Sequence, residues 1–326
     1  VDVSGASFVD QADATWTNDG DTVVLTNASV TMTSAQHNNL LEAGGTVTAI
    51  GDGSSNGTAE TITLDTDGTV VALASVENYV LAADVNLTVG AAAQNVTESG
   101  NHAVSVTING ATTATYTGTV KLDTTTADTI TLSGTVDVSG ASFVDQADAT
   151  WTNDTGDTVV LTNASVTMTS AQHNNLLETA GGTVTATGDG TTGNAAETIT
   201  LNTDGTVAAL AAVENYVLAA DVNLTVGAQS QNVTESGNHA VSVTIDGVTT
   251  ATYDGKVELD LTTGDSITLT GTVDVSSASF VNAADSMTAW TNDTGDTVVL
   301  TNASVTMTSA QHNNLLETAG GTVTAT

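Results

Sequence analysis

The chain has 326 residues, of which 37 are acidic and only two are basic, so its formal net charge is −35. Phosphate groups are bound by clustered Lys and Arg, so this charge excludes a nucleic-acid surface and disfavours docking on anionic lipid. Cysteine is absent, which excludes disulfides and thiolate metal sites. Such a chain repels itself unless cations neutralise it, and divalent cations are therefore the first partner to expect.

One long stretch occurs three times. Trp151–Thr187 matches Trp290–Thr326 residue for residue, and a copy from Trp16 to Ala49 differs by two single-residue deletions. An internal repeat of this strength predicts an architecture built by repetition. It also argues against an enzyme, because a unique active site does not come in three nearly identical copies.

The repeat divides the sequence into two full units and a partial one. We predict unit boundaries at 1–135, 136–272 and 273–326. The sequence begins and ends within a unit, so we expect it to be a window on a longer array.

A shorter motif recurs within each unit: an acidic residue, Thr or Ser, an aliphatic residue, any residue, and Leu. It occurs at Asp21–Leu25, Glu60–Leu64 and Asp128–Leu132, and again from Asp157 and Asp265. The alternation of aliphatic and threonine residues predicts short strands separated by polar turns. Sub-repeats nested in a long repeat favour a parallel β-solenoid, in which each rung stacks on its neighbour. Tandem immunoglobulin-like sandwiches are the alternative.

Short helices are expected as lateral insertions on this all-β body. Thr33 and Gln36 form a capping-box pattern, followed by the apolar pair Leu40 and Leu41. The copies that start at Thr169 and Thr308 predict the same helix.

Turns rich in Asp, Asn and Gly are the candidate metal sites. The turn Thr152–Asp157 places two carboxylates and an amide oxygen around a glycine, and hard oxygen donors of this kind suit Ca²⁺. The opposing interpretation is that Asp, Asn and Gly simply form turns. The candidate ligands are Asn18, Asp19, Asp21, Asn153, Asp154, Asp157, Asn292, Asp293, Asp296, Asp52, Asp189, Asp65, Asp67 and Asp204.

No catalytic residues are predicted. His37 and its copies lack a nearby nucleophile or a metalloprotease spacing, and we expect partly exposed helix histidines. Trp16, Trp151 and Trp290 are expected to cap rungs or to pack between units, with stacking on a carbohydrate as the alternative role.

The strand pattern resembles that of a known group of proteins. Four segments are similar to the β-strand repeats of bacterial S-layer proteins and giant secreted adhesins: Asp21–Thr26, Val30–Asn38, Glu60–Leu64 and Ala74–Leu81. Proteins of this group are often exported by type 1 secretion, and their repeats resemble those of calcium-binding RTX proteins. The resemblance implies a right-handed parallel β-helix, an extracellular or cell-surface location and bound Ca²⁺.

Together these features predict a structural extracellular array: a surface fibre, filament or S-layer stabilised by Ca²⁺ and by self-association. The alternative is a stalk or glycan-binding module of a large adhesin. We expect the chain itself to be its main partner, with an extracellular polysaccharide as a further candidate, and no nucleic acid and no membrane insertion.

Overall fold

A computed structural model of the chain describes residues 1–26, 28–50, 59–178, 181–188, 195–260, 264–317 and 320–326, and for 285–287 only the backbone. The chain forms two compact units. Unit 1 is Val1–Thr162 with Thr179–Thr185, and unit 2 is Asn163–Glu178 with Ala186–Thr326. The boundaries predicted from the repeat stay a prediction.

Unit 1 is built from strands of four or five residues and one short helix, with a longer strand near its end. In chain order these are β1 (Thr22–Leu25), β2 (Ser29–Met32), α1 (Ser34–Leu40), β3 (Thr46–Ala49), β4 (Thr61–Leu64), β5 (Gly68–Val71), β6 (Asn78–Leu81), β7 (Val85–Thr88), β8 (Asn95–Glu98), β9 (Ser105–Asn109), β10 (Thr119–Leu122), β11 (Thr129–Asp137) and β12 (Ser142–Asp145). Two strands, β13 (Thr158–Met168) and β14 (Thr183–Ala186), carry residues of both units.

From β4 to β12, consecutive strands of unit 1 alternate between two sheets, and β1 pairs with β3 in a separate two-stranded sheet. The first sheet has the order β2-β4-β6-β8-β10-β12, and β5, β7, β9 and β11 follow one another in the second. Neighbours within a sheet are therefore two strands apart in the chain, and they run parallel. This is a β-solenoid: the chain coils through both sheets once per rung, and each rung stacks on the previous one.

The core of unit 1 consists of ladders of apolar side chains that face inward and stack from one rung to the next. Ile62 stacks on Tyr79 and Leu64 on Leu81, and all four are buried. Threonines fill the alternate positions and are partly exposed. The period of two in the sequence thus becomes an apolar interior and a threonine-rich surface.

Unit 2 repeats the same arrangement. Its elements are α2 (Ser170–Leu176), β15 (Thr198–Leu201), β16 (Gly205–Ala208), β17 (Asn215–Leu218), β18 (Val222–Thr225), β19 (Asn232–Glu235), β20 (Ser242–Asp246), β21 (Lys256–Leu259), β22 (Ser266–Asp274), β23 (Ser279–Asn282), β24 (Asp285–Ala289), β25 (Thr297–Thr306), α3 (Ser309–Leu315) and β26 (Thr322–Ala325). One sheet contains β15-β17-β19-β21-β23 and ends in β24, which pairs antiparallel with β23; the other is β16-β18-β20-β22-β25-β26.

The predicted all-β solenoid with short helical insertions is therefore confirmed. Parallel pairing of strands two positions apart excludes the tandem-sandwich alternative, because immunoglobulin-like sheets are antiparallel. The capping box is also confirmed in all three helices. In α1, Thr33 accepts from the Gln36 amide while the Gln36 side chain accepts from the Thr33 amide. Each helix has seven residues, and the described part of the chain contains no helix long and apolar enough to cross a membrane.

Two of the three helix histidines, His37 and His173, differ from the expectation of partial exposure, whereas His312 is exposed. His173 is fully buried, and its Nε2 lies 2.9 Å from the hydroxyl oxygen of Tyr216, which also accepts from the Leu210 amide. His37 and Tyr79 make the same contact in unit 1. The histidine is buried because a tyrosine on a following strand of the solenoid covers it, which the helix sequence by itself does not reveal.

Identical helices provide a matched test of this contact. His312 has the same sequence neighbours as His173, but its side chain is 48% exposed, whereas that of His173 is 0% exposed. We expect His173→Ala to lower the free energy of unfolding by about 2–5 kcal/mol, through a cavity and a lost buried hydrogen bond. His312→Ala should change it by less than about 0.5 kcal/mol. Urea unfolding of the two variants measures the difference, and equal effects would contradict the assigned role of Tyr216.

Candidate metal centre

The acidic residue that opens the recurring strand motif faces the interior. It lies two residues before the inward aliphatic residue and four before the inward Leu, so the period of two places all three on one face. Asp21 is the exception and is exposed. The buried members of this set are Glu60, Asp128, Asp157, Glu197, Asp265 and Asp296.

In unit 1, three carboxylates meet where the chain leaves the first sheet and enters the second. Glu98 ends β8, Asp123 directly follows β10, and Asp128 directly precedes β11. One oxygen from each lies within 4.8 Å of the others, and all three residues are buried. Glu98 occupies an inward position that Leu81 holds on the adjacent strand, so it interrupts the leucine ladder with a charge.

Backbone amides hold each carboxylate in place. Glu98 accepts from the amides of His102 at 2.9 Å and Asp123 at 2.6 Å. One oxygen of Asp128 accepts from the Val104 amide at 3.1 Å. For Asp123 the donors to Oδ1 are the Thr125 and Thr126 amides and the Thr126 hydroxyl. These bonds fix the directions of the carboxylates. They use both oxygens of Glu98, whereas Oδ2 of Asp123 and Oδ2 of Asp128 accept from no donor in the described structure.

Burial and mutual repulsion dominate the electrostatics of the cluster. Burial raises the pKa of Asp128 to about 8, and nearby Glu98, Asp123 and Asp157 add to the shift. Burial likewise raises the pKa of Glu98, and that of Asp157 to about 6. Asp123 differs: burial opposes its ionisation, but hydrogen bonds from Thr125 and Thr126 outweigh burial and lower its pKa.

Unit 2 contains a matching triad of Glu235, Asp260 and Asp265, again with one oxygen from each within 4.8 Å of the others. Glu235 accepts from the amides of His239 and Asp260, and Asp265 accepts from the Val241 amide. Burial raises the pKa of Asp265 to about 8, as it does for Asp128. Three clustered carboxylates supply the hard oxygen donors that group 2 cations prefer, so both triads could bind a metal ion.

The predicted turns that end at Asp157 and Asp296 contact these triads, and the asparagines of all three copies have structural partners. Asn153 is buried and donates to the Thr183 carbonyl oxygen at 3.0 Å, and Asn18 and Asn292 make the equivalent bond in their copies. A Cβ on Gly182 would lie 2.1 Å from Asn153 Oδ1, so glycine is needed there. These contacts tie the turn to the segment that follows the helix.

The aspartates of the predicted turns divide into buried and accessible groups. Asp157 and Asp296 are buried, and they accept from the amides of Asp128 and Asp265 at 3.0 Å. The last turn residue therefore supports the triad from the next rung. Asp154, Asp293 and Asp19 are partly or fully exposed. Calcium binding at these turns stays a prediction.

The remaining predicted ligands lie apart from the triads in the chain. Asp67 and Asp204 are exposed and accept hydrogen bonds from the amides of Asp84 and Asp221 at 3.1 Å. Each bond joins a turn of one rung to the turn of the next rung. Asp65 is half-buried at the end of β4. The predicted ligands Asp52 and Asp189 lie outside the described residues.

Glu98, Asp123, Asp128 and their copies in unit 2 were not among the predicted ligands, although the sequence contains a signal for two of the three. Glu98 and Asp128 are acidic residues at inward positions of an alternating strand, where burial of a charge needs compensation. Asp123 carries no such signal, because it follows its strand in an ordinary polar loop.

No protein-family model, curated protein or solved structure matches the chain. The resemblance to S-layer proteins and secreted adhesins therefore stays a prediction.

The raised pKa values predict how the stability of the metal-free protein depends on pH. In the unfolded chain these carboxyls ionise near pH 4, whereas in the fold Asp157 and Asp296 ionise at about 6, and Asp128 and Asp265 at about 8. Between these values the folded state holds protons that the unfolded state has released, so stability is present in acid and is lost as the pH rises.

We therefore expect the thermal midpoint in EDTA to fall between pH 5.5 and pH 8.5, measured by circular dichroism. The double variant Asp128→Asn with Asp265→Asn should show a shallower fall, because two of the titrating groups are gone. A midpoint that rises or stays level over this range in the parent chain would contradict the assignment.

Proposed function

We propose that the chain is a structural segment of an extracellular repeat array, assembled as a surface filament or layer and stabilised by Ca²⁺. The observation that carries the proposal is the repetition of the described interior. The buried acidic triad, the histidine–tyrosine contact and the capped helix of unit 1 each have a counterpart in unit 2. An enzyme would need at least one constellation that is not repeated.

Open strand edges support self-association. β1 pairs with β3 as a two-stranded sheet, and β26 is the last strand of its sheet. Both are rich in β-branched residues, with Val24 54% exposed and Val323 41% exposed. Neither edge carries the Lys or Pro that proteins use to prevent strand pairing, so each is a template for another copy.

The charge supports a role for Ca²⁺. A net charge of −35 makes close packing of many copies unfavourable unless cations neutralise the surface. Carboxylate oxygens are the preferred ligands of Ca²⁺, and the chain offers them both in buried triads and in exposed turns. The resemblance to surface-layer and adhesin repeats supports an extracellular location.

A glycan-binding module is the less favoured alternative. Carbohydrate stacking needs an accessible aromatic face, but Trp151 and Trp290 are buried. Trp16 is partly exposed, so it is the one tryptophan of the three that offers a surface for stacking.

Negative-stain electron microscopy with 2 mM Ca²⁺ or with EGTA tests the proposal. We expect filaments or sheets in Ca²⁺ that dissolve on chelation, because the acidic copies repel one another without the cation. Discrete particles under both conditions would contradict the assembly function.

Edge variants test the route of assembly. Val24→Lys and Val323→Lys place a charge on the two open edges and should together abolish the filaments without changing the circular dichroism spectrum. Val248→Lys is the matched control, because Val248 is 86% exposed in a turn outside the strands. Filaments that persist in the edge variant would place the contact elsewhere.

A further inference from the structure

The two buried triads have a feature that an ordinary surface cluster of acidic residues lacks. Asp123 and Asp128 are 3% and 0% exposed, and the Oδ2 atom of each is buried with no hydrogen-bond partner in the described structure. In unit 2 the same is true of Asp265 Oδ2. Burial of an unpaired carboxylate oxygen is costly, so these atoms need either a proton or a positive partner.

The chain has no side chain to supply that partner. Its two basic residues are used elsewhere, Lys121 with Asp148 and Lys256 with Glu258, both in salt bridges at 2.5 Å. His102 lies next to the first triad in the chain, but its Nδ1 faces Asp84 at 3.7 Å. The compensating charge must therefore come from solution.

The geometry fits one hard cation. Ca²⁺ binds oxygen at about 2.3–2.6 Å, so two ligands on opposite sides of the ion are about 4.6–5.2 Å apart. The three carboxylate oxygens of each triad, all within 4.8 Å of one another, fit on one such coordination sphere. Zn²⁺ is disfavoured, because its protein sites are usually built from His and Cys.

A residue outside each triad also hydrogen-bonds to a member of the triad. Asp157 lies one rung further along, and its Oδ1 accepts from the amide of Asp128, while Asp157 Oδ2 is buried without a partner. Asp296 supports Asp265 in the same way in unit 2. Asp157 and Asp296 are thus positioning residues, which connect the sequence-predicted turns to the triads.

We infer that each unit binds one Ca²⁺ inside the solenoid, held by Glu98, Asp123 and Asp128 in unit 1 and by Glu235, Asp260 and Asp265 in unit 2. This rests on the proposed function for the choice of Ca²⁺ and deepens it by naming the sites. The ion ties together residues from successive rungs, so it acts as an internal clamp of the fold rather than as a bridge between copies.

Terbium luminescence tests the sites directly, because Tb³⁺ replaces Ca²⁺ in oxygen sites and is excited by a nearby indole. Trp290 Nε1 donates to the Asp260 carbonyl oxygen at 3.0 Å, which places an indole beside the unit 2 triad. We expect tryptophan-sensitised emission that excess Ca²⁺ displaces, and two Ca²⁺ bound per chain by calorimetry, one for each triad.

Single substitutions separate the two sites. Asp128→Asn and Asp265→Asn should each reduce the stoichiometry by one, and the double variant should bind none. Asp154→Asn with Asp293→Asn is the matched control in the predicted turns and should retain both sites. Trp290→Phe keeps every proposed ligand, so it should lower the sensitised emission while calorimetry still finds two ions; this variant remains informative if an Asn variant fails to fold.

The outcomes distinguish the site from the assembly. No Ca²⁺ bound to the parent chain, or unchanged stoichiometry in the Asn variants, would overturn the inference, and loss of binding in the turn variant would assign the ion to the turns. Two ions bound without filaments would overturn only the assembly proposal. Filaments that still require Ca²⁺ in the double Asn variant would leave assembly intact and show that it uses other carboxylates.

Discussion

Inward-facing side chains of a parallel β-solenoid have no core except the one that adjacent rungs provide. Every other property of this chain follows from that constraint. The ladder in which Ile62 stacks on Tyr79 and Leu64 on Leu81 is stable because each residue is covered from both sides. Any residue that replaces a member of a ladder, charged or not, is buried by the same stacking.

The internal copies show how strongly the neighbouring rung determines burial. Asp21 and Asp157 open the same motif, yet Asp21 is exposed, whereas Asp157 is buried and accepts from an amide of the preceding rung. His173 and His312 differ in the same way. Sequence identity between copies therefore does not imply identical environments, and the chemistry of a residue depends on its place in the stack.

This explains which features could be predicted from the sequence. The strands and the helix caps depend on residues close together in the chain, so the alternation at Glu60–Leu64 and the pair Thr33 and Gln36 were sufficient. The contact between His173 and Tyr216 depends on pairing across rungs, and no local pattern contains it.

The candidate metal centre lies between these two cases. The turn that ends at Asp157 is predicted to bind a metal because Asp, Asn and Gly cluster there, but those residues are also common turn formers. The more informative signal was the face on which an acid lies: Glu98 takes the inward position of a leucine, and Asp128 shares a face with Ile130 and Leu132. A strand pattern that places a carboxylate on its apolar face indicates either a partner that compensates the charge or a fold whose stability depends on the solution conditions.

For this chain, a compensating partner and a condition-dependent fold lead to the same physical conclusion. Three carboxylates buried at one corner repel one another when ionised, and the two basic residues of the chain form ion pairs elsewhere, so either protons or a cation from solution must neutralise each corner. A fold that depends on an ion from solution remains weakly stable where the ion is scarce and becomes rigid where it is abundant. On the proposed function, such dependence would delay edge pairing between copies until the chain reaches the ion, because an unpaired strand edge is a template for another chain.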